Sequence, residues 1–446
     1  MPLSDAQARQ ILDAALAAAR RVDAGAESVV TLHGGRQGHT RFGRNEITTA
    51  GEVDEVTVTI AIQRARRRAA ASTNQTDPAS LRATAEAAGR MVQLAPEDPE
   101  VLPVLGPQRY AKVEAHDPAV ARLSPADRSA AVAQVIALAE SAGLQVAGFL
   151  GHSETVLAVA TSAGLRALHR ETRLSFSVTA RTPDGTGSGR AAAISHALRD
   201  VDPVALGRKA VERAQRSRRP ARLEPGRYTV VLEEEAVGDL LAFLTMSLDA
   251  RSADEGRSFF TRAGGGNRLG ERLFPEHITL RADPSNRQTP AAPFDAEGLP
   301  LAPLVIIERG VLRTLLYSRF WAQRQGRQPT GEPRVYHLLG GTATPSDLIA
   351  GVRRGVLISR LWYLRWLEPQ SLLVTGLTRD GVFLIEDGQI AGPVNNFRFN
   401  DSPVNMLRNA DALSRDTLRT EGTAGHLRVP ALRTHDFHLS SISEAI

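Results

Sequence analysis

Period-two alternation of apolar and polar side chains is the feature that most restricts how this chain can fold. Within residues 53–62, Val56, Val58, Ile60 and Ile62 fall on one face and Thr57, Thr59 and Ala61 on the other, the pattern of a strand with one buried face. Residues 38–49 alternate in the same way after a first strand signal at 28–33, and Gly51 between the runs predicts a hairpin turn. Further strand signals at 145–150, 153–161, 165–171 and 173–181, with Gly151, Gly164 and Gly185 marking turns, predict an antiparallel meander. Helices interrupt these strands, each with a start signal. Ser4 can cap residues 5–22, Asp77-Pro78 opens 78–93, and Asp202-Pro203 opens a helix reaching about Arg216. Over 124–142, Ser124 and Pro125 begin a helix whose stripe is Val132, Val135, Ile136 and Ala139.

The proline-rich stretch 94–118 predicts an irregular surface segment, and the Arg-Pro-rich stretch 216–226 predicts a linker. Beyond it come a strand at 227–232, a helix at 235–249 and strands at 302–307, 310–316, 356–367, 371–386 and 389–399. Gly310, Gly381 and Gly388 sit at expected hairpin turns, and Asp380-Gly381 and Asp387-Gly388 are strong hairpin dipeptides. The expected fold class is α+β. An N-terminal domain over 1–220 combines an antiparallel sheet with packed helices, and a β-rich C-terminal domain covers 221–446.

Charge narrows the function. The formal net charge is only +5, and Lys occurs only at Lys112 and Lys209, so the high pI of 10.0 reflects arginine and not a strongly basic surface. No nucleic-acid partner is expected. No stretch approaches the roughly 20 apolar residues that span a bilayer, so no membrane partner is expected either. The opening residues predict an amphipathic helix carrying Asp5 and Asp13 in place of a signal peptide, which makes the cytoplasm the expected location. The chain has no Cys, which excludes disulfides, Cys nucleophiles and thiolate metal sites.

Few motifs carry chemistry. The glycine-rich stretches 184–189 and 264–270 do not follow a strand and open a helix, as a dinucleotide or phosphate loop would. His435 and His438, three apart on an expected strand, point to opposite faces and make a poor chelate. There is no Gly-x-Ser-x-Gly elbow. The cluster Glu233-Glu234-Glu235 with Asp239 ends a strongly apolar strand and opens a helix with core-spaced Val237, Leu240, Leu241 and Leu244. The helix dipole accounts for Glu234 and Glu235. Asp239 lies one turn beyond Glu235 on the same face, so the two carboxylates repel unless a cation or Arg lies between them.

Several long stretches carry a resemblance: RFGRNEITTAG, RYTVVLEEEAVGDLLAFL, NRLGERLFPEHITLRADP, TPAAPFDAEGLPLAP, GGTATPSDLIAGVRRGVLISRLWYLR and GLTRDGVFLIEDGQIAGPVNNFRFNDSPVNMLRNAD. Together they resemble the TldD/TldE family, whose TldE side is also called PmbA, over nearly the whole chain. The resemblance implies a metallopeptidase family. Its TldD side carries His-Glu-x-x-x-His at the strand–helix junction, where two imidazoles bind zinc and the Glu can activate bound water, with a further ligand from a C-terminal Cys. Here Glu234 stands for the first His, Glu235 for the Glu and Asp239 for the second His, and the region matching the Cys is 420–427.

That departure implies a TldE-like member that holds no cofactor of its own, with zinc in a TldD-type partner. The implied role is a non-catalytic subunit of a peptidase complex that degrades or trims unfolded peptides, with a homodimer formed by the chain alone. Two other readings stay open: a metal-dependent peptidase in its own right, using Glu234, Glu235 and Asp239 with Glu421 or His426, and a binding module unconnected to proteolysis.

Overall fold

The computed structural model describes residues 3–422 and 425–444, with the side chains of residues 421, 422 and 425 outside that description. The N-terminal half is built on six antiparallel strands: β1 (Glu27–Gly43), β2 (Glu46–Arg64), β3 (Arg67–Thr73), β4 (Gln145–Thr161), β5 (Arg166–Arg181) and β6 (Ser188–Ser195), in the order β3-β2-β1-β4-β5-β6. Helices α1 (Asp5–Val22), α2 (Pro78–Leu94), α3 (Pro118–Ala121), α4 (Pro125–Ser141) and α5 (Pro203–Arg216) accompany it. Their start signals operate as expected: Ser4 and Ser124 close capping boxes, while Asp77 and Asp202 cap helices that begin with Pro.

Strand parity decides what each face of this sheet does. Even-numbered residues of β4 and β5, such as Val146, Leu150, Val156, Leu174 and Phe176, are buried in the two clusters formed with α1, α2, α4 and α5. Leu157, Val159 and Ala167 turn to the opposite face, where Val104, Ala292 and Phe294 cover them. The proline-rich segment that contributes Val104 is irregular, as its sequence predicts.

The first hairpin corrects one expectation. Its turn is Arg44-Asn45, with φ of 53° and 62°, the left-handed pair of a tight two-residue turn. The Asn45 side chain donates to Leu144 O at 3.0 Å and accepts from Val146 N at 2.8 Å, so the turn is anchored to β4. Gly51 lies inside β2 opposite His39, and a Cβ there would sit 3.1 Å from the His39 ring. It is a packing glycine, not a turn.

The C-terminal half holds β7 (Gly226–Leu232), α6 (Glu234–Thr245), β8 (Leu280–Ala282), β9 (Leu304–Glu308), β10 (Val311–Leu312), β11 (Val335–Leu338), β12 (Arg354–Glu368), β13 (Leu373–Glu386), β14 (Gln389–Pro393), β15 (Asn396–Asp401), β16 (Ala410–Gly422) and β17 (Gly425–Ser443). All eleven strands belong to one sheet of mixed direction, consistent with α+β. Because β7 pairs with β12 in parallel and with β17 antiparallel, the path β7-β12-β13-β15-β17 closes on itself. Helix α6 packs against β12, β16 and β17 and buries residues around its whole circumference, from Ala236 to Thr245 apart from Asp239. Such a helix belongs inside a core.

Asp387-Gly388 does turn the β13–β14 hairpin, and Arg309-Gly310 turns β9 into β10. Asp380-Gly381 does not form a turn. The pair sits within β13 opposite Ser359, where the β12 register slips, with φ of 58° and 135°. It is a bulge, and it buries Asp380, whose carboxylate accepts from Ser188 Oγ at 2.6 Å and from Arg360 at 3.1 Å.

The stretch 216–226 joins the two sheets but is tied at both ends. Ser217 Oγ donates to Ser188 O and accepts from Ser188 N, while Ala221 and Leu223 bond to Pro393 and Asn395. Among the described residues, no helix is long and apolar enough to cross a membrane.

Gly238 of α6 gives the packing a sharp test. A Cβ there would lie 2.2 Å from Thr420 Oγ1 and 3.0 Å from Thr420 Cβ. In an ordinary helix interior Gly→Ala stabilises by roughly 0.5–1 kcal/mol. Here overpacking outweighs that gain, and we expect Gly238→Ala to destabilise by about 1–3 kcal/mol. Denaturant midpoints should show Thr420→Ala restoring part of the loss; a Gly238→Ala variant as stable as wild type would refute the close approach.

Candidate functional site

Where β7 runs into α6, the chain delivers four carboxylates in seven residues, and helix geometry separates them. Residues four apart share a helix face, whereas neighbours are turned by roughly 100°. Glu235 and Asp239 therefore both line a cleft of about 580 Å³ between the two halves of the molecule. Glu234 does not line it. Burial, followed by the adjacent Glu233 charge, raises the Glu234 pKa, with Lys209 and Arg213 of α5 opposing the rise. Glu233 is gripped by Arg213, whose Nη2 lies 2.7 and 2.5 Å from its two oxygens.

The opposite wall comes from strand parity. With Phe176 facing the helices, Arg173, Ser175 and Ser177 of β5 face the cleft, and their register partners on β6 bring Ala192 and Ile194 to the same side. Arg190 stands next in that row, and its Nε donates to Glu235 Oε2 at 3.2 Å. Arg360 of β12 and Leu418, Arg419 and Thr420 of β16 complete the lining with Phe149. Thr420 reaches it because Gly238 leaves room.

Asp239 is the most perturbed group here. Burial, then the Glu235 charge, pushes its pKa to about 7, with Arg360, a 3.2 Å hydrogen bond from Leu361 N and Arg190 holding the rise back. The cluster is thus balanced by arginines contributed from β6, β12 and α5.

His426 lies elsewhere. It lines a neighbouring cavity of about 370 Å³ with Glu171, Asp295, Glu332 and Arg334, separated from the cleft by Arg173 and Arg419, which line both. The physical reason is again parity. Thr420 meets α6 and pairs with Leu427, whereas His426 stands one step along the strand and takes the other face. The Glu421 side chain itself lies outside the described residues. The alternative ligand set Glu234, Asp239 and His426 is therefore not brought together. Among the described residues, no group of three His, Asp or Glu is placed to hold a metal ion. Zinc does not fit the donors present: one carboxylate is engaged by Arg190, the other is flanked by Arg360, and the cleft offers neither imidazole nor thiolate.

The sequence points to the carboxylates and to arginine as their counter-charge, but not to which arginines supply it. Arg173, Arg190, Arg360 and Arg419 are four of 52 arginines, and only their register in the folded sheets distinguishes them. His435 bonds Asp411 at 2.9 Å and takes no part.

The chain is similar to known proteins over most of its length. The PmbA/TldA metallopeptidase central domain matches residues 115–218 and the PmbA/TldA metallopeptidase C-terminal domain matches residues 225–441. A metalloprotease of Methanothermobacter thermautotrophicus is 28% identical over 276 residues, 55% of this chain and 57% of that relative. The chain thus matches little more than half the length of that relative. The metalloprotease PmbA of Escherichia coli is 23% identical over 95% of this chain and 96% of its own. The crystal structure of TldE from Thermococcus kodakarensis superposes with a TM-score of 0.87, at 19% identity, over 97% of this chain and 100% of that one.

The raised pKa of Asp239 has a signed consequence. Below the ordinary value of 3.8 the group is protonated whether folded or unfolded. As pH climbs toward about 7 the folded state holds a proton that the unfolded chain has released, so stability is lost over that window. Asp239→Asn, which keeps an acceptor for Leu361 N, should melt roughly 2–4 °C above wild type at pH 8 and level with it near pH 4. Scanning calorimetry at the two pH values checks this, and an equal shift at both would show that ionisation is not the cause.

Proposed function

For a chain that belongs to the PmbA/TldD metallopeptidase family, we propose the role of a TldE-type, non-catalytic subunit in a peptidase complex acting on unfolded or extended peptides. The observation that carries this reading is the Arg190–Glu235 ion pair. The carboxylate at the position of the family's water-activating Glu is occupied by an arginine, in a cleft with no nitrogen or sulfur ligand for zinc. Zinc and the hydrolytic step then belong to a TldD-type partner. Within such a complex this chain forms one wall of the space that holds the peptide. The surface supports docking: at the far end of the β12–β13 hairpin Tyr363, Trp366 and Leu367 are exposed, and Trp366 meets Phe243 of α6 edge-on at 4.6 Å, an apolar patch of the kind that subunit contacts cover.

The test is co-expression with a chain that carries His-Glu-x-x-x-His in the same strand–helix frame. A stable complex is expected, with stoichiometric zinc in the partner only and cleavage of unfolded peptides by the complex only. Glu235→Gln in this chain should leave the activity of the complex within about threefold, against the roughly hundredfold or greater loss that removal of a general base causes. Stoichiometric zinc in the isolated chain, with cleavage abolished by Glu235→Gln, would establish a peptidase in its own right.

A further inference from the structure

The charged groups of the cleft hold one another: Arg190 bonds Glu235, and Arg360 bonds Asp380. The surface left for a ligand is apolar, and one side chain stands out in it. Among the described residues every other phenylalanine is buried or half-buried, yet Phe149 is 41% exposed on a strand that has neighbours on both sides. Its ring is nevertheless fixed. Gly151, two residues on and on the same face, lies inside β4 and not at a turn. A Cβ there would sit 2.6 Å from the Phe149 ring, so the missing side chain lets the ring lie along the strand. His39, the β1 partner of Gly151, stacks on Phe149 with centroids 5.7 Å apart and planes 10° from parallel. Gly51, the β2 partner of His39, leaves room for the imidazole in turn. Two glycines and a histidine thus hold one exposed ring in place.

The floor beside that ring is a hollow. Phe149 pairs with Ser177 and Ser177 with Ala192, while Gly151 pairs with Ser175 and Ser175 with Ile194. Small side chains therefore separate the Phe149 ring from Ile194, and both line the cleft together with Leu418 of β16 from the second half. Strands β4 and β6 stand two spacings apart, roughly 9–10 Å. A flat ring in contact on both faces needs about 7–8 Å.

We propose that this part of the cleft is a subsite for an aromatic side chain of an extended peptide, with Phe149 as its stacking face and Ile194 and Leu418 as its walls. The proposal rests on the peptide-holding role given above and names the side-chain class that role selects. Stacked or edge-on aromatic pairs are stabilised beyond the area they bury, which favours a ring over an aliphatic side chain beside Phe149. An acidic side chain gains little here, because Arg190 and Arg360 already have partners.

The test is titration calorimetry of the full chain with unlabelled hexapeptides of Ala and Ser, blocked at both ends, that carry a single Phe, Leu or Glu or none of these. The Phe peptide should bind at least about tenfold more tightly than the plain peptide, and more tightly than the Leu peptide. Salt at about 0.5 M should leave that preference within about twofold, as it would not for an ionic contact. Phe149→Ala should weaken binding of the Phe peptide at least about fivefold and leave the plain peptide unaffected. Gly151→Ala keeps Phe149 but displaces its ring; it should act in the same direction, and it gives a second reading if Phe149→Ala does not fold. Leu94→Ala, at the exposed end of α2, should change nothing. Equal binding of all four peptides, no binding of any, a preference for the Glu peptide, or full affinity for the Phe peptide in both cleft variants would overturn the proposal. If the peptides are not told apart while the complex forms and cleaves, the subunit role stands and the subsite falls. If the Phe preference is found and no complex forms, the reverse holds.

Discussion

Everything at the centre of this molecule depends on arginine–carboxylate pairs across the seam between its two halves. Arg213 holds Glu233, Arg190 holds Glu235, and Asp380 is shared by Ser188 of the first sheet and Arg360 of the second. These groups are partly or wholly withdrawn from water, so each is tolerable only with its partner in place. The pairs position the first turn of α6, set the width of the cleft and fix how the two sheets face each other. Ser217 and the residues after it add neutral hydrogen bonds to the same seam.

Much of this architecture is readable in the sequence because local rules and tertiary packing agree. Pro at the first helical position after Ser or Asp marks α2, α4 and α5 correctly, since the missing N–H costs nothing there. The readings failed where a glycine serves packing and not chain reversal. Gly51 and Gly381 have turn-like neighbours, yet one makes room for His39 and the other lies in a bulge beside Arg213 and Ser359. The true turn, Arg44-Asn45, contains no glycine, and Asn supplies the left-handed geometry together with its bonds to β4.

The site divides in the same manner. The i, i+4 relation of Glu235 and Asp239 follows from helix geometry and holds in the fold. The arginine wall does not follow from local pattern, because which of many arginines meet is set by the pairing of β5 with β6 and by the meeting of separate sheets. His426 shows how fine the distinction is. One step along a strand moves it from the face of Thr420 to another cavity, and no local pattern fixes which step the hairpin takes.

The closed path of β7, β12, β13, β15 and β17 also orders events in time. Leu232 pairs with Leu432, so a strand made near the start of the C-terminal half waits for one made near its end. Strands β1 to β6, complete by Ser195, need nothing from that half for their ladder. On the ribosome the first sheet can finish early and present Arg173 and Arg190 in place. Helix α6, buried around its circumference from Ala236 to Thr245 apart from Asp239, meanwhile lacks β12, β16 and β17 to cover it until β17 has emerged. Non-local closure of this kind is slow, and it leaves apolar surface uncovered during synthesis. The newborn chain therefore passes through a stage in which α6 lacks the strands that cover it in the finished fold.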